Sequence, residues 1–165
     1  MIPSCFMNVI IMSTRAIKFL KQKKISFDVV RYTHAEKGAE FAARATGFAL
    51  EKTVKTLVVD LGDKKCLLAL LPGDKQLDLK SIARMCAVKR AVMADTETAE
   101  RLTGYLVGGI SPFGVKQSLP VVIEESILQF DRVLINAGQR GTMLLLMPED
   151  IVKVLDGKVS KFARV

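Results

Sequence analysis

Apolar and polar positions along the chain fall into short runs whose period switches between the helical and the extended value. At 14–24, Ala16, Ile17, Phe19 and Leu20 recur at helical spacing, with Ser13 or Thr14 as cap. Residues 25–32 (ISFDVVRY) are β-rich and predict a first strand, and 37–46 a second helix stopped by Gly47. Residues 53–60 (TVKTLVVD) and 65–71 (KCLLALL) predict two strands joined through Gly62-Asp63, a hairpin turn signal. A helix over 79–87 places Leu79, Ile82, Ala83 and Cys86 on one face, with Asp78 as its cap. A short strand at 91–93 then leads to Asp95, the expected cap of a helix over 96–102.

The second half carries strands at 119–123, 132–136 and 142–147, with a turn at 137–141. Pro148 is placed at the first position of a last helix, followed by Glu149 and Asp150 where the helix dipole favours acids. The end of the chain is expected to be a polar, basic tail. Strands and helices alternate without a repeated βαβ period. The expected fold is therefore a mixed α/β (α+β) single domain, a curved, barrel-like sheet with helices packed outside. Residues 1–12 are expected to be an N-terminal extension without a fold role, and 13–165 the domain.

Composition changes this picture in one respect. The 165 residues are half apolar and a quarter charged, as in ordinary globular domains, but the net charge is +8 and the pI about 9.5. A basic excess is consistent with a polyanionic partner or with a generic solvated surface. It is concentrated early: Arg15, Lys18, Lys21, Lys23 and Lys24 share the polar face of the first helix, with no acid among them. That face is either simply solvated or turned toward phosphates. Cys5, Cys66 and Cys86 are odd in number and lack metal-ligand spacing, which points to a reducing, cytoplasmic compartment. With His34 the only histidine, a metal site is not expected, and no run is long and apolar enough to span a bilayer.

Most catalytic patterns are missing. No phosphate-binding glycine motif opens a helix after a strand, no nucleophile elbow is present, and the carboxylates form no evident acid/base pair. His34 is either a structural loop histidine or a base. Lys55 alternates with Leu57 and Val59 on a face that should point inward. It is either an edge-strand lysine that keeps the sheet soluble or a cation held at a pocket mouth. Arg140, in Gly138-Gln139-Arg140-Gly141, either contacts phosphate or stabilises its turn. The segment from Thr103 to Gly114 (TGYLVGGISPFG) packs four glycines and a proline into one connection. It is either a bent link between strands or a loop presenting bare amides to a small polar ligand.

Four motifs occur in order: Lys55-Thr56-Leu57-Val58-Val59, Gln76-Leu77-Asp78-Leu79-Lys80, the stretch 103–112 (TGYLVGGISP), and Gly138-Gln139-Arg140-Gly141. With them the chain resembles the YbaK/EbsC family of free-standing aminoacyl-tRNA editing proteins, related to the editing domain inserted in bacterial prolyl-tRNA synthetases. Within it, TGYLVGGISP and QLDLK are most similar to the Cys-tRNA(Pro) deacylases. The resemblance implies a trans-editing deacylase of mischarged tRNA, with no cofactor and no metal, with prolyl-tRNA synthetase as a candidate partner. By this resemblance Lys55 anchors the terminal adenosine or its phosphate. The Gly108, Gly109, Ile110, Ser111 and Pro112 loop holds the ester carbonyl, and Tyr32, Thr56, Asn136, Arg140 and Met143 complete the substrate site. The substrate's own thiol is implied as nucleophile. Two positions depart from the pattern: Met143 stands where relatives carry an acid, and Asn136 where they carry a small hydroxyl residue. The alternatives are another mischarged tRNA such as Ala-tRNA(Pro), a non-catalytic tRNA- or synthetase-binding module, and a binder of small phosphates.

Overall fold

A computed structural model describes residues 13–33 and 38–165. The expected extension at 1–12, Cys5 and His34 lie outside the described residues. Five α-helices run through these segments: α1 (Arg15–Gln22), α2 (Ala39–Thr46), α3 (Leu79–Met85), α4 (Thr96–Thr103) and α5 (Pro148–Leu155). Ten strands accompany them: β1 (Asp28–Arg31), β2 (Thr53–Asp60), β3 (Cys66–Pro72), β4 (Gln76–Leu77), β5 (Val92–Met93), β6 (Val121–Glu124), β7 (Val133–Gln139), β8 (Thr142–Leu146), β9 (Lys158–Ser160) and β10 (Ala163–Arg164).

The helices begin where side chains can satisfy free amides. The Thr14 hydroxyl accepts from Ile17 N at 3.2 Å, the Asp95 carboxylate from Thr98 N at 2.7 Å, and Asp78 from Lys80 N and Ser81 N. Pro148 takes the first position of α5, and Gly47 ends α2 in the left-handed region.

The large sheet runs β1-β8-β7-β2-β3-β6-β9, with β5 added to one end of β2. Pairing is mixed: β2 is antiparallel to β3 and parallel to β7, and β6 is parallel to both β3 and β9. The two-residue alternation sorts side chains between the faces. Val54, Val58, Leu68, Leu70, Val121 and Ile123 join Ile17 and Leu20 of α1 and Leu102 of α4 in one core. Val59, Leu67, Ala69, Leu71 and Val122 join Ile82 and Ala83 of α3 and Phe162 in the other. Strand β3, covered on both faces and paired on both edges, is buried along its whole length, which its nearly unbroken apolar sequence CLLALLP requires.

Three boundaries depart from the expectation. The first strand starts at Asp28 rather than 25, because Ile25 and Phe27 pack against the α1 core rather than entering the ladder. Strand β7 continues to Gln139 through a bulge between Asn136 and Gln139, so the turn is confined to Arg140 and Gly141. The C-terminal stretch is not a free tail. It forms β9 and β10, with Phe162 buried. Glu124, itself buried, makes that possible: its Oε2 accepts from the Phe162 and Ala163 amides at 2.7 and 2.8 Å. The strand path ends at β1 and β9, and among the described residues no pair joins these ends to close a barrel.

Candidate functional site

The sheet contains a built-in break. Strand β2 pairs with β7 only through Thr53 and Val54, and with β5 only through Val59 and Asp60. Between these points one edge of β2 has no neighbouring strand among the described residues. Gly73 N donates to Thr53 O on the β3 side, whereas Ala94 N donates to Val58 O on the opposite side. Alternation therefore turns the Thr56 N–H and C=O toward the break.

A cavity of about 380 Å³ occupies this break. Its walls come from Val54 to Val58 of β2, from Ala39 and Ala42 of α2, and from Met93 to Ala99 around β5 and α4. Asn136 and Met143, paired across β7 and β8, close the far side, and Val107, Gly108 and Ile110 of the glycine loop cover it. The walls are mainly apolar, with a few polar groups converging on them, as in small-ligand sites.

Among the described residues Lys55 is the one cationic side chain on this wall. It shares the β2 face of Leu57 and Val59, as alternation predicts, and its Nζ donates to Lys75 O in the β3–β4 turn. Burial pushes its pKa below the ordinary lysine value, against the opposing pull of Asp74 and Glu40. Gly38, which starts α2 without a side-chain cap, lines the same cavity. An uncapped helix start adds partial positive charge to that of Lys55. Thr56 contributes a buried hydroxyl with no hydrogen-bond partner among the described residues.

The loop is held from several sides. Its turn closes through Gly109 N to Leu106 O at 2.9 Å, and Val107 N donates to Glu100 at 2.8 Å. Arg140 Nη2 donates to Val107 O at 2.8 Å, and the Asn136 amide reaches Gly108 O at 3.4 Å. Gly108 has φ +93°, and a β-carbon there would lie 2.6 Å from Arg140 Nε. The amides of Gly108 and Ile110 have no partner among the described residues.

The aminoacyl-tRNA editing domain model matches residues 33–154, which include every wall of this cavity except Tyr32. The chain belongs to the aminoacyl-tRNA editing domain family. The editing domain is 30% identical over 150 residues to EbsC of Enterococcus faecalis, provisionally named a Cys-tRNA(Pro)/Cys-tRNA(Cys) deacylase, covering 90% of this chain and 92% of the relative. It is also 30% identical to the multifunctional Ser/Thr-tRNA deacylase ProXp-y of Escherichia coli K12, over 91% of this chain and 92% of that one. A crystal structure provisionally described as a trans-editing enzyme for prolyl-tRNA synthetase superposes with a TM-score of 0.83 at 26% identity, covering 92% and 96% of the two chains.

Of the residues expected at the site of this editing domain, Tyr32, Lys55, Thr56, Gly108, Ile110, Asn136 and Met143 meet around the cavity. Tyr32 is packed against Phe41 with ring centroids 6.0 Å apart, and Met143 is buried beside Ala42 and Leu134. The others stand apart. Gly109 is buried against the backbone of Gln139 and Arg140, and its N–H is taken up in the turn. Ser111 is fully buried, its hydroxyl accepting from Phe113 N at 3.3 Å, and Pro112 faces a groove behind the loop. Arg140 is exposed and braces the loop from outside. Sequence reading gave no site role to Leu57 and Val107, although both lie inside quoted motifs, and missed Met93, Ala94 and Ala99, small or aliphatic residues that no motif marks. Among the described residues, no helix is long and apolar enough to cross a membrane, and no group of three or more His, Cys, Asp or Glu is placed to hold one metal ion.

Tyr105 anchors the loop to the core. Its hydroxyl donates to Phe113 O at 2.5 Å across the loop, and the Arg15 guanidinium lies 5.9 Å from its ring centroid. Burial raises its pKa to about 12. A raised tyrosine pKa gives stability that is complete below the unfolded value near 10 and is lost as pH climbs through the folded value. The fold should therefore lose on the order of 2 kcal/mol between pH 10 and 12 through this group. Tyr105→Phe should remove that component while costing about 1 kcal/mol at neutral pH for the lost hydrogen bond. Urea denaturation of both proteins across this pH range checks it; parallel pH profiles would contradict the assignment.

Proposed function

We propose that the protein is a trans-editing aminoacyl-tRNA deacylase, with Cys-tRNA(Pro) as its preferred substrate. The observation that carries this reading is the cavity in the break between β2 and β7. It has room for an aminoacyl group and part of the terminal ribose, has Lys55 on one wall, and has the unpartnered Gly108 and Ile110 amides on another. Lys55 and the start of α2 bind the anionic or ribose side of the ester. The Gly108 and Ile110 amides receive the carbonyl oxygen as charge develops on it, a contribution that is commonly large. Gly109, whose amide is engaged in the turn, holds the loop in place instead.

For a cysteinyl ester the protein need not supply a nucleophile. The substrate sulfur bonds to the ester carbonyl carbon, the carbon–oxygen bond to the ribose breaks, and the thiol proton ends on the ribose hydroxyl. Water then opens the resulting cyclic thioester to free cysteine. The protein's part is to hold the ester bent over the loop and to shield it within apolar walls.

A second reading, release of Ser or Thr, is favoured by the unpartnered Thr56 hydroxyl and by the equal identity to a Ser/Thr-tRNA deacylase. One panel separates them: Cys-tRNA(Pro), S-methyl-Cys-tRNA(Pro), Ala-tRNA(Pro), Ser-tRNA and Thr-tRNA, followed by loss of radiolabelled amino acid. The expected result is rapid loss of cysteine only, with the S-methyl ester inert because its sulfur carries no proton to transfer. Release of Ser or Thr that Thr56→Val abolishes would move the assignment to the second reading. No acceleration over buffer on any ester would end the proposal.

A further inference from the structure

The exposed side of α1 and its C-terminal cap carries Arg15, Lys18, Lys21, Lys23 and Lys24 without an acid. Helix electrostatics accounts for the last of these and not for the first, because cations in the opening turns oppose the dipole. Arg15 is the first residue of α1 and Lys18 the fourth, and the first turn holds no acidic residue. Arg15, Lys18 and Lys23, joined by Lys116 from the far end of the glycine loop, line an open groove of about 680 Å³. Among the described residues no acid lines it and none of these four cations is in an ion pair. Four like charges gathered on one concave surface repel one another unless a polyanion occupies it.

The groove adjoins the cavity through the glycine loop. Gly108 and Ile110 face the cavity, whereas Pro112 and Gly114 of the same loop face the groove. Arg15 lies against the bare backbone of Gly104, where a β-carbon would sit 2.3 Å from its Nη1 and 3.3 Å from the Lys116 β-carbon. Lys116 N donates to Thr103 O at 3.0 Å, which fixes that second cation beside the first. A chain of phosphates leaving the cavity therefore crosses one loop to reach fixed positive charge.

We infer that the groove between α1 and the glycine loop, rimmed by Arg15, Lys18, Lys23 and Lys116, is a docking surface for the phosphate backbone of the tRNA whose acylated end occupies the cavity. The inference rests on the cavity being the ester site, and it assigns recognition of the tRNA body to residues outside that site. Backbone neutralisation releases counterions, so each phosphate contact steepens the salt dependence of binding.

The test combines Lys18→Ala, Lys23→Ala and Lys116→Ala in one variant and compares it with Lys64→Ala, Lys65→Ala and Lys89→Ala, a control with the same charge loss on exposed residues elsewhere. Binding of uncharged tRNA is followed by fluorescence anisotropy over a salt series, and deacylation is measured on Cys-tRNA(Pro) and on the cysteinyl ester of adenosine. The groove variant should lose about 2–3 from the log–log salt slope relative to the control. Its KM for Cys-tRNA(Pro) should rise at least tenfold with kcat within twofold, and turnover of the adenosine ester should be unchanged. A slope and KM equal to those of the control would overturn the inference, as would an equal loss on the adenosine ester. Should the wild-type protein deacylate nothing yet show the groove-dependent slope, the surface stands and the deacylase reading falls.

Discussion

Replacing Lys55 by alanine is expected to lower deacylation kcat/KM by about 10²-fold or more while leaving the protein folded. Losses of this size follow removal of a single charged or hydrogen-bonding group that meets the reacting ester in a water-poor site. Lys55 is suited to that part because among the described residues it is in no ion pair. Its Nζ meets one backbone carbonyl, Lys75 O, and the attraction of Asp74 and Glu40 does not offset its burial. Because burial holds the folded pKa below the unfolded one, the cation is disfavoured in the fold at neutral pH, and this penalty is relieved as pH rises from the lowered value to the ordinary lysine value. Activity follows the opposite course. It depends on the ammonium, so it should fall on the alkaline side before an ordinary lysine would titrate. Lys55→Arg, which stays charged, should move that limb to higher pH if a cation is all the site requires. Circular dichroism and a pH profile of Cys-tRNA(Pro) deacylation check both parts. A folded alanine variant with wild-type rates would remove Lys55 from the mechanism.

Gly138→Ala is expected to cost about 2–4 kcal/mol of stability, roughly 5–15 °C in Tm for a chain of this size. Two effects add. Gly138 has φ +97°, a region an alanine adopts only with strain, and its new methyl would lie 2.5 Å from Cε1 of the Tyr105 ring. That ring cannot move freely, being buried, stacked near Arg15 and hydrogen-bonded to Phe113 O. The strain should reach the site as well, because Tyr105 belongs to the loop that carries Gly108 and Ile110 into the cavity. Thermal melts together with deacylation rates at 25 °C check it. A Tm within 2 °C of wild type would show that the ring yields without consequence.

The motif at 138–141 and the motif at 103–112 are thus two sides of one contact, which the sequence displays only as separate strings. What made the site partly legible was local chemistry. A lysine alternating with Leu57 and Val59 is anomalous on an inward face, and the paired glycines before Ile110 are anomalous in an apolar chain. The rest was illegible for a physical reason. Ser111 and Pro112 belong to the same string as Gly108, yet a turn directs them to the core and to the opposite groove. Met93, Ala94 and Ala99 line the cavity only because β5 pairs with the end of β2.

The sequence by itself determined most of the elements and their faces, though not β4, β9 or β10. Caps at Thr14, Asp78 and Asp95, proline at the start of α5, and the two-residue alternation of β2 and β3 are all local signals, set by hydrogen bonding and side-chain geometry within a few residues. Only the tertiary structure decided that β2 should meet β7 for two residues and β5 for two more, leaving the gap that becomes the cavity. It also decided that a basic C-terminal stretch should fold back as β9 and β10 under the grip of Glu124, some 38 residues away in the chain. Strand pairing and buried hydrogen bonds of this kind depend on which distant segments arrive beside each other, and no local pattern records that.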